Sequence, residues 1–457
     1  MSAQTRTSLE VHARRNQPLG MPPARFLRDY WQKQPLLIRG AFAGFREPLR
    51  PDDLAGLACE ELARARIVMH QAERDGWSLR HGPFAQEDFA NLPNTDWTLL
   101  VQDVDKWDAD VATLLDHFAF LPCWRIDDVM VSYAEQGGSV GAHIDQYDVF
   151  LLQGLGQRRW RVDTRRCRAA RVCASEPAMK PARHCADPCE ERAFTDDTEL
   201  RLLRDFTPTH EWILDAGDLL YLPPDIAHHG VALGACMTYS IGMRAPARAE
   251  LLLDFADAFA ETMPESLRFA DPDLTPTRGD GEIDDATMAR VLRAMPWLRP
   301  EAICPGPVNH TEATHTHSSR LSRTTSAADT FPVAHGKEQL RAWFGRFITR
   351  YRSMQIAPRA AALSDASFAR MLSRNATVQR NQWSRFAWTR GKRGATLFVA
   401  GEEYSCSSRL ARMACARAQF TCAAASAPRD RDVLRALINA GHLTALRANL
   451  PRQRRRS

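Results

Sequence analysis

Between Trp124 and Gly242 the chain is a succession of short apolar segments separated by tight turns, a rhythm that restricts this stretch to a mainly β fold. Trp124-Arg125-Ile126-Asp127-Asp128-Val129-Met130-Val131-Ser132-Tyr133 reads as a strand, and Gly137-Gly138 as the turn after it. Asp148 to Gln153 is a second apolar strand, turned at Gly154-Leu155-Gly156 and followed by Arg158 to Val162. Glu211 to Leu214, the turn Asp215-Ala216-Gly217-Asp218, Leu219 to Leu222 and Met237 to Gly242 complete the set. Antiparallel hairpins without intervening helices predict a double-sheet jelly roll, whose alternate residues face the barrel interior.

His143-Ile144-Asp145 lies inside this run, and Ala227-His228-His229-Gly230 follows it after a long interval. On a strand, residues two apart share a face, so His143 and Asp145 can bind one ion while Ile144 packs behind them. A histidine from a distant strand supplies the third ligand. Two imidazoles and one carboxylate leave coordination positions open, the ligand set of non-haem Fe(II) enzymes that bind a co-substrate together with O2. Spacing alone does not choose between His228 and His229, because adjacent strand residues point to opposite faces.

These segments together resemble a known family, the bacterial JmjC-type ribosomal oxygenases of the cupin superfamily that hydroxylate an arginine of ribosomal protein L-sixteen. The likeness is carried by Phe26 to Arg39, Trp97 to Gln102, Trp124 to Ser132, His143 to Phe150, and Gly217-Asp218 to Gly230, with a weaker likeness near the C-terminus. The resemblance implies that His143, Asp145 and His228 bind Fe(II) and that Arg158 holds the distal carboxylate of 2-oxoglutarate. It implies C3 hydroxylation of an arginine, with 2-oxoglutarate and O2 as co-substrates and succinate and CO2 released. The alternatives it leaves open are histidine hydroxylation in another ribosomal protein, lysine demethylation, and a non-enzymatic RNA-binding role. His229 stands where the family usually has an acidic residue, and is expected to face solvent.

Strand periodicity supports the Arg158 assignment. Arg158, Trp160 and Val162 share one face and Arg159 and Arg161 the other, so Arg158 is the arginine aimed into the barrel. A carboxylate there would satisfy a guanidinium that burial otherwise leaves costly; the plainer reading is a structural Asp partner. Ser132 and Tyr239 are further candidates for the co-substrate pocket, and Gln102, Tyr133 and Gln146 for contacts around it.

The charge of the chain is divided. Residues 331–457 hold 24 Lys+Arg against 6 Asp+Glu, which leaves 36 against 49 for residues 1–330. An acidic catalytic half suits a basic ribosomal protein, with Asp103, Asp105, Asp108, Asp127 and Asp128 as a candidate entrance. A basic C-terminal half suits ribosomal RNA, although an arginine-rich solvated surface would look the same.

The expected organisation is a disordered leader (1–18), a JmjC oxygenase domain (19–246), a helical dimerisation region (247–302), a linker (303–330), a winged-helix domain (331–450) and a basic tail (451–457). Ala247 to Met263 and Ala286 to Met295 carry apolar residues at helical spacing, and by resemblance this region makes a homodimer. Glu338 to Tyr351, Ala366 to Ser373, the strand Ala395 to Ala400, a turn Gly401-Glu402-Glu403-Tyr404 and the helix Asp432 to Ala440 sketch the winged helix. Cys167, Cys173, His184, Cys185 and Cys189 lack the repeat of a zinc ribbon and are read as thiols scattered in a loop. Eleven cysteines without a disulfide pattern or signal peptide, and no membrane-length apolar stretch, point to the cytoplasm.

Overall fold

The computed structural model describes residues 8–15, 17–71, 76–165, 200, 202–274, 285–294, 333–350 and 362–446. The cysteine-bearing loop, the linker and the basic tail lie outside them. The chain divides into two compact units, one of residues 1–245 with 348–457 and the other Pro246–Phe347.

The barrel part of the first unit has thirteen strands among the described residues: β1 (Glu10–His12), β2 (Leu36–Arg39), β3 (Ala65–Gln71), β4 (Gly76–His81), β5 (Trp97–Val101), β6 (Ile126–Ala134), β7 (His143–Ile144), β8 (Val149–Leu155), β9 (Arg158–Asp163), β10 (His210–Leu214), β11 (Leu219–Leu222), β12 (Ala227–Ala232) and β13 (Cys236–Met243). Nine form a sheet in the order β1-β2-β11-β8-β13-β6-β5-β3-β4, and four form a second in the order β10-β9-β12-β7. Val149 and Leu151 of the large sheet and Trp160, Val162, Trp212 and Leu214 of the small one share a buried apolar cluster, the inner layer of the jelly roll. The opposite face of the large sheet is covered by the N-terminal helices through Phe26, Leu54, Val111 and Phe118, all buried.

The leader is ordered in part. β1 pairs in parallel with β2, Glu10 opposite Leu37, because Leu9 packs on the inner cluster and Arg39 pairs with Glu10 at 2.7 Å. Turns follow the glycines: Gly156, between β8 and β9, has φ +63°, and a Cβ there would stand 2.2 Å from the Ala235 carbonyl oxygen.

The winged-helix part of this unit holds β14 (Thr377–Arg380), β15 (Phe386–Gly391), β16 (Gly394–Val399), β17 (Glu402–Cys406), β18 (Gln419–Thr421) and β19 (Leu443–Ala445), with helices Asp365–Ser373, Ser408–Ala416 and Pro428–Asn439. Its core is Val378, Leu397, Val399, Leu410, Ala414, Leu434 and Leu437. Glu402 to Tyr404 belong to β17 rather than to a turn, since Phe398 and Val399 pair with them and the reversal is made by Ala400-Gly401. The domain docks on the barrel through Arg385 paired with Asp127, Trp383 edge-on to Trp107 at 5.6 Å, and the Cys123 thiol donating to the Phe386 carbonyl at 3.3 Å.

The second unit contains the helices Arg248–Ala260 and Asp285–Ala294 and most of Val333–Thr349. Trp343 packs edge-on against Phe255 at 5.1 Å and its indole donates to Asp254 at 2.8 Å, which draws the last helix to the first.

Candidate metal and co-substrate site

β7 and β12 are antiparallel neighbours with His143 opposite His228, so register alone delivers both imidazoles to one place. Asp145 follows on the same face. One ligand atom from each of His143, Asp145 and His228 lies within 4.8 Å of the others, and the His228 Nε2 to Asp145 Oδ2 separation is 3.6 Å. The rings of His143 and His228 stand 4.3 Å apart at 60°.

Backbone carbonyls orient the rings. Nδ1 of His143 lies 3.0 Å from the Gly141 carbonyl and Nδ1 of His228 lies 2.9 Å from that of Ile226. Each Nδ1 therefore carries the proton and each Nε2 offers its lone pair inward, as a metal-binding histidine held by a backbone carbonyl does. Burial first, and then the proximity of His143, push the His228 pKa down to about 4, which keeps it in the neutral form that ligates. Two inward Nε2 atoms and one carboxylate fit a divalent ion with open positions.

Arg158 lies on β9 with Trp160 and Val162, all three buried, while Arg159 and Arg161 are half-exposed on the outer face and pair with Glu211. Its Nη1 donates to Ser132 Oγ at 3.2 Å and to Thr238 Oγ1 at 3.5 Å, and Thr238 passes the bond on to Gln153 Oε1 at 3.1 Å. Its Nε is buried with no acceptor, and among the described residues no carboxylate pairs with it. Burial without a counter-charge lowers its pKa. A structural Asp partner is thus not found; the guanidinium is held by neutral hydroxyls and has donors to spare. Gly230 leaves room for it, since a Cβ there would stand 2.9 Å from Arg158 Nε and 2.8 Å from the Trp160 ring.

One pocket of about 280 Å³ joins Arg158 to the triad. Its floor is the large sheet. Ser132 pairs with Thr238, Met130 with Ser240 and Asp128 with Gly242, and these same-face residues line it in three successive rows. Asp128 therefore stands four residues along β6 from Ser132, about 13 Å. At that far end Asp128 is joined by Arg66, Gln102 and Tyr147. Asp128 accepts from the Asp103 backbone N–H at 3.1 Å, and burial, reinforced by nearby Asp103, pushes its carboxyl pKa up to about 7.

Several sequence expectations are redirected. Tyr239 faces the outer core, where its hydroxyl binds Glu47; its neighbours Thr238 and Ser240 are the pocket residues, a displacement of one position and hence of one face. Tyr133 likewise points away, tilted against Trp97 and bonded to Glu135. Gln102 and Ser132 line the pocket, and Gln146 is exposed outside it. His229 is half-buried rather than solvent-facing: Nε2 lies 3.0 Å from Ser139 Oγ and the ring meets Phe206 at 6.2 Å. The acidic entrance reduces to Asp128. Asp105 pairs with buried Lys106, Asp103 with Lys106 and Arg64, Asp127 with Arg385, and Asp108 caps a helix by accepting from Asp110 and Val111 N–H. Period-two counting back from Ser132 through Met130 would have singled out Asp128; Arg66, Thr238, Ser240 and Tyr147 had no such signal.

Comparison with known families finds a match to the JmjC domain over residues 113–251 and to the ROXA-like winged helix over residues 327–444. The chain carries a JmjC domain joined to a ROXA-like winged helix. It is 38% identical over 271 residues to the ribosomal protein uL16 3-hydroxylase of Escherichia coli K12, an alignment covering 59% of this chain and 65% of that protein, just under two thirds of its length. Among solved structures, E. coli ycfD superposes with a TM-score of 0.69 at 28% identity, covering 93% of this chain and 98% of that one. The complex of YcfD, a ribosomal oxygenase, with cobalt and 2-oxoglutarate superposes at 0.67 with 29% identity and the same coverage.

Proposed function

We propose that this protein is an Fe(II)- and 2-oxoglutarate-dependent protein hydroxylase acting on C3 of an arginine in ribosomal protein uL16: its E. coli relative is named a ribosomal protein uL16 3-hydroxylase, and the arginine is the target that the family resemblance implies. The observation that carries the reading is the sequence of groups along one pocket: an unpaired buried cation at Arg158, a His-Asp-His cluster, and a half-buried carboxylate at Asp128. His143, Asp145 and His228 would hold Fe(II), and bound Fe(II) supplies the site at which 2-oxoglutarate and O2 meet and an aliphatic C–H bond is oxidised. One atom of O2 enters succinate, the other enters the hydroxyl, and CO2 leaves.

The chain's own residues supply position. Arg158, pre-set by Ser132 and Thr238, clamps the distal carboxylate of 2-oxoglutarate and so aims its 2-oxo acid end at the triad. Trp160, Leu151 and Val149 exclude water from the space between. Asp128 accepts the guanidinium of the target arginine, whose planar fork of donors matches a carboxylate. An arginine held at Asp128 presents the carbons between guanidinium and backbone toward the triad. The hydrogen abstraction needs no protein acid or base.

By the family resemblance the protein acts as a homodimer in the cytoplasm. The second unit exposes Leu252, Leu253, Leu267, Phe269 and Leu274, apolar surface that a second copy would cover. No helix among the described residues is long and apolar enough to cross a membrane. The decisive experiment incubates the protein with Fe(II), 2-oxoglutarate and a uL16 peptide, and reads product mass and site by tandem mass spectrometry. A gain of one oxygen on arginine, abolished when that arginine is lysine, is expected; demethylation of a methyl-lysine peptide without any gain on the uL16 peptide would refute the reading.

A further inference from the structure

We propose that one end of the winged-helix domain is a phosphate-binding surface for RNA, formed by the β15–β16 turn and the first turns of two helices. The choice of RNA among nucleic acids rests on the ribosomal substrate proposed above; the surface itself does not.

Three segments converge there. The turn exposes Arg390, Lys392 and Arg393. Ser408 Oγ donates to the Gly394 carbonyl at 3.1 Å, which sets the start of helix Ser408–Ala416 beside the turn. That helix exposes Arg409 and Arg412, one turn apart, and buries Leu410, Ala411, Ala414 and Cys415. Asp430 in turn accepts from Ser407 N–H at 2.7 Å and Ser407 Oγ at 2.6 Å, which brings helix Pro428–Asn439 to the same corner with Arg429 and Arg431 exposed on either side.

Seven cations thus meet with little to neutralise them. Asp430 is buried and committed to Ser407, and Asp432 is the one exposed carboxylate in the three segments. Among the described residues no ion pair involves any of the seven, whereas Arg385 and Arg435 of the same domain are paired with Asp127 and Asp365. The charge is also segregated. Glu402 and Glu403 follow the next hairpin reversal, at the other end of β16, some 15–20 Å away at about 3.3 Å per residue.

The composition selects the partner. No large hydrophobic side chain is exposed in these segments, so the apolar anchors of a membrane-surface element are missing. Six of the seven are arginines, whose forked donors match phosphate oxygens and stay charged. Arg452, Arg454, Arg455 and Arg456 add to the same sign in the sequence beyond.

The test uses the full chain and a short fluorescein-labelled RNA duplex, with binding followed by anisotropy from low to moderate salt. Binding should weaken linearly on a log–log plot, and Arg390→Gln/Lys392→Gln/Arg393→Gln should lower the slope by two to three units and the affinity by roughly tenfold or more. Arg409→Gln/Arg412→Gln should give a smaller loss of the same kind, and Glu402→Gln/Glu403→Gln at the far end should give none. Hydroxylation of the uL16 peptide, measured on the same preparations, should be unchanged, so loss of RNA binding and failure of the proposed activity are separate readings. Unaltered RNA binding in the triple variant would overturn the proposal, as would equal, cation-dependent binding to poly-aspartate or to anionic vesicles when the RNA duplex does not bind.

Discussion

Removing the Arg158 guanidinium tests the co-substrate reading most directly. Arg158 is 3% exposed, its Nη1 rests on two hydroxyls, and its Nε has no acceptor, so a carboxylate arriving there meets a desolvated cation whose unused donors point at it. Breaking such a buried charge pair costs about 3–5 kcal/mol, which is roughly 200- to 5,000-fold in affinity at 1.36 kcal/mol per decade. Arg158→Ala should raise the 2-oxoglutarate concentration for half-maximal succinate formation by that order. Fe(II) binding to the same variant, measured by calorimetry without co-substrate, should change little, because no metal-cluster atom bonds to Arg158. Arg158→Lys should recover only part of the loss, since one ammonium does not reproduce a bidentate fork. Arg159→Ala, on the outer face beside Glu211, should be close to wild type. A 2-oxoglutarate requirement within about threefold of wild type in Arg158→Ala, or the full effect in Arg159→Ala, would refute the register and the role together.

Other consequences are as definite. His143→Ala, Asp145→Ala and His228→Ala should each abolish 2-oxoglutarate turnover with the β-sheet circular dichroism intact, whereas His229→Ala, whose ring faces Ser139 and Phe206, should retain it; the reverse pattern for the two adjacent histidines would move the third ligand. With its pKa raised to about 7, Asp128 is largely protonated below neutrality, so the KM for the uL16 peptide should fall as pH rises from 6 toward 8 while kcat changes less. Asp128→Asn should raise that KM and flatten its pH dependence; an unchanged profile would remove Asp128 from substrate recognition. Glu47, bonded to Tyr239, is likewise pushed up to about 7 by burial. The native state thus binds its proton more tightly than the unfolded chain does, and stability from this group is present at low pH and lost as pH rises from about 4.5 through 7. Glu47→Gln, which keeps an acceptor for Tyr239, should raise the melting temperature at pH 8 relative to pH 5, by at most about 3 kcal/mol of differential stability. Equal effects at both pH values would place the charge in water.

Legibility followed the range of the interactions. The alternation Arg158, Trp160, Val162 is a property of one strand, and the structure buries those three and leaves Arg159 and Arg161 outside. The same period places Ser132, Met130 and Asp128 on one face, so alternation marks Asp128 out from Asp127, while Asp103, Asp105 and Asp108 lie outside the strand. Their partners separate them further: Asp103 and Asp105 bind Lys106 beside them in the chain, Arg64 reaches Asp103 and Arg385 reaches Asp127 from distant segments, Asp108 caps its own helix, and none of these cations pairs with Asp128. Tyr239 failed for a related reason, because which face of β13 looks inward is fixed by its pairing with β6 and β8 and not by its own residues.

Local pattern is enough for the mainly β barrel, the shared face of Arg158, Trp160 and Val162, and the His-x-Asp pair with a distant histidine, because turn chemistry and side-chain alternation act over a few residues. Long-range packing sets His143 opposite His228, makes room at Gly230 for a guanidinium that no carboxylate among the described residues pairs, covers His229, and seats the helix Val333–Thr349 through Trp343 on Asp254 and Phe255. Each of these depends on which surfaces meet across long separations in the chain. Burial and pairing are properties of those meetings, and no local pattern encodes them.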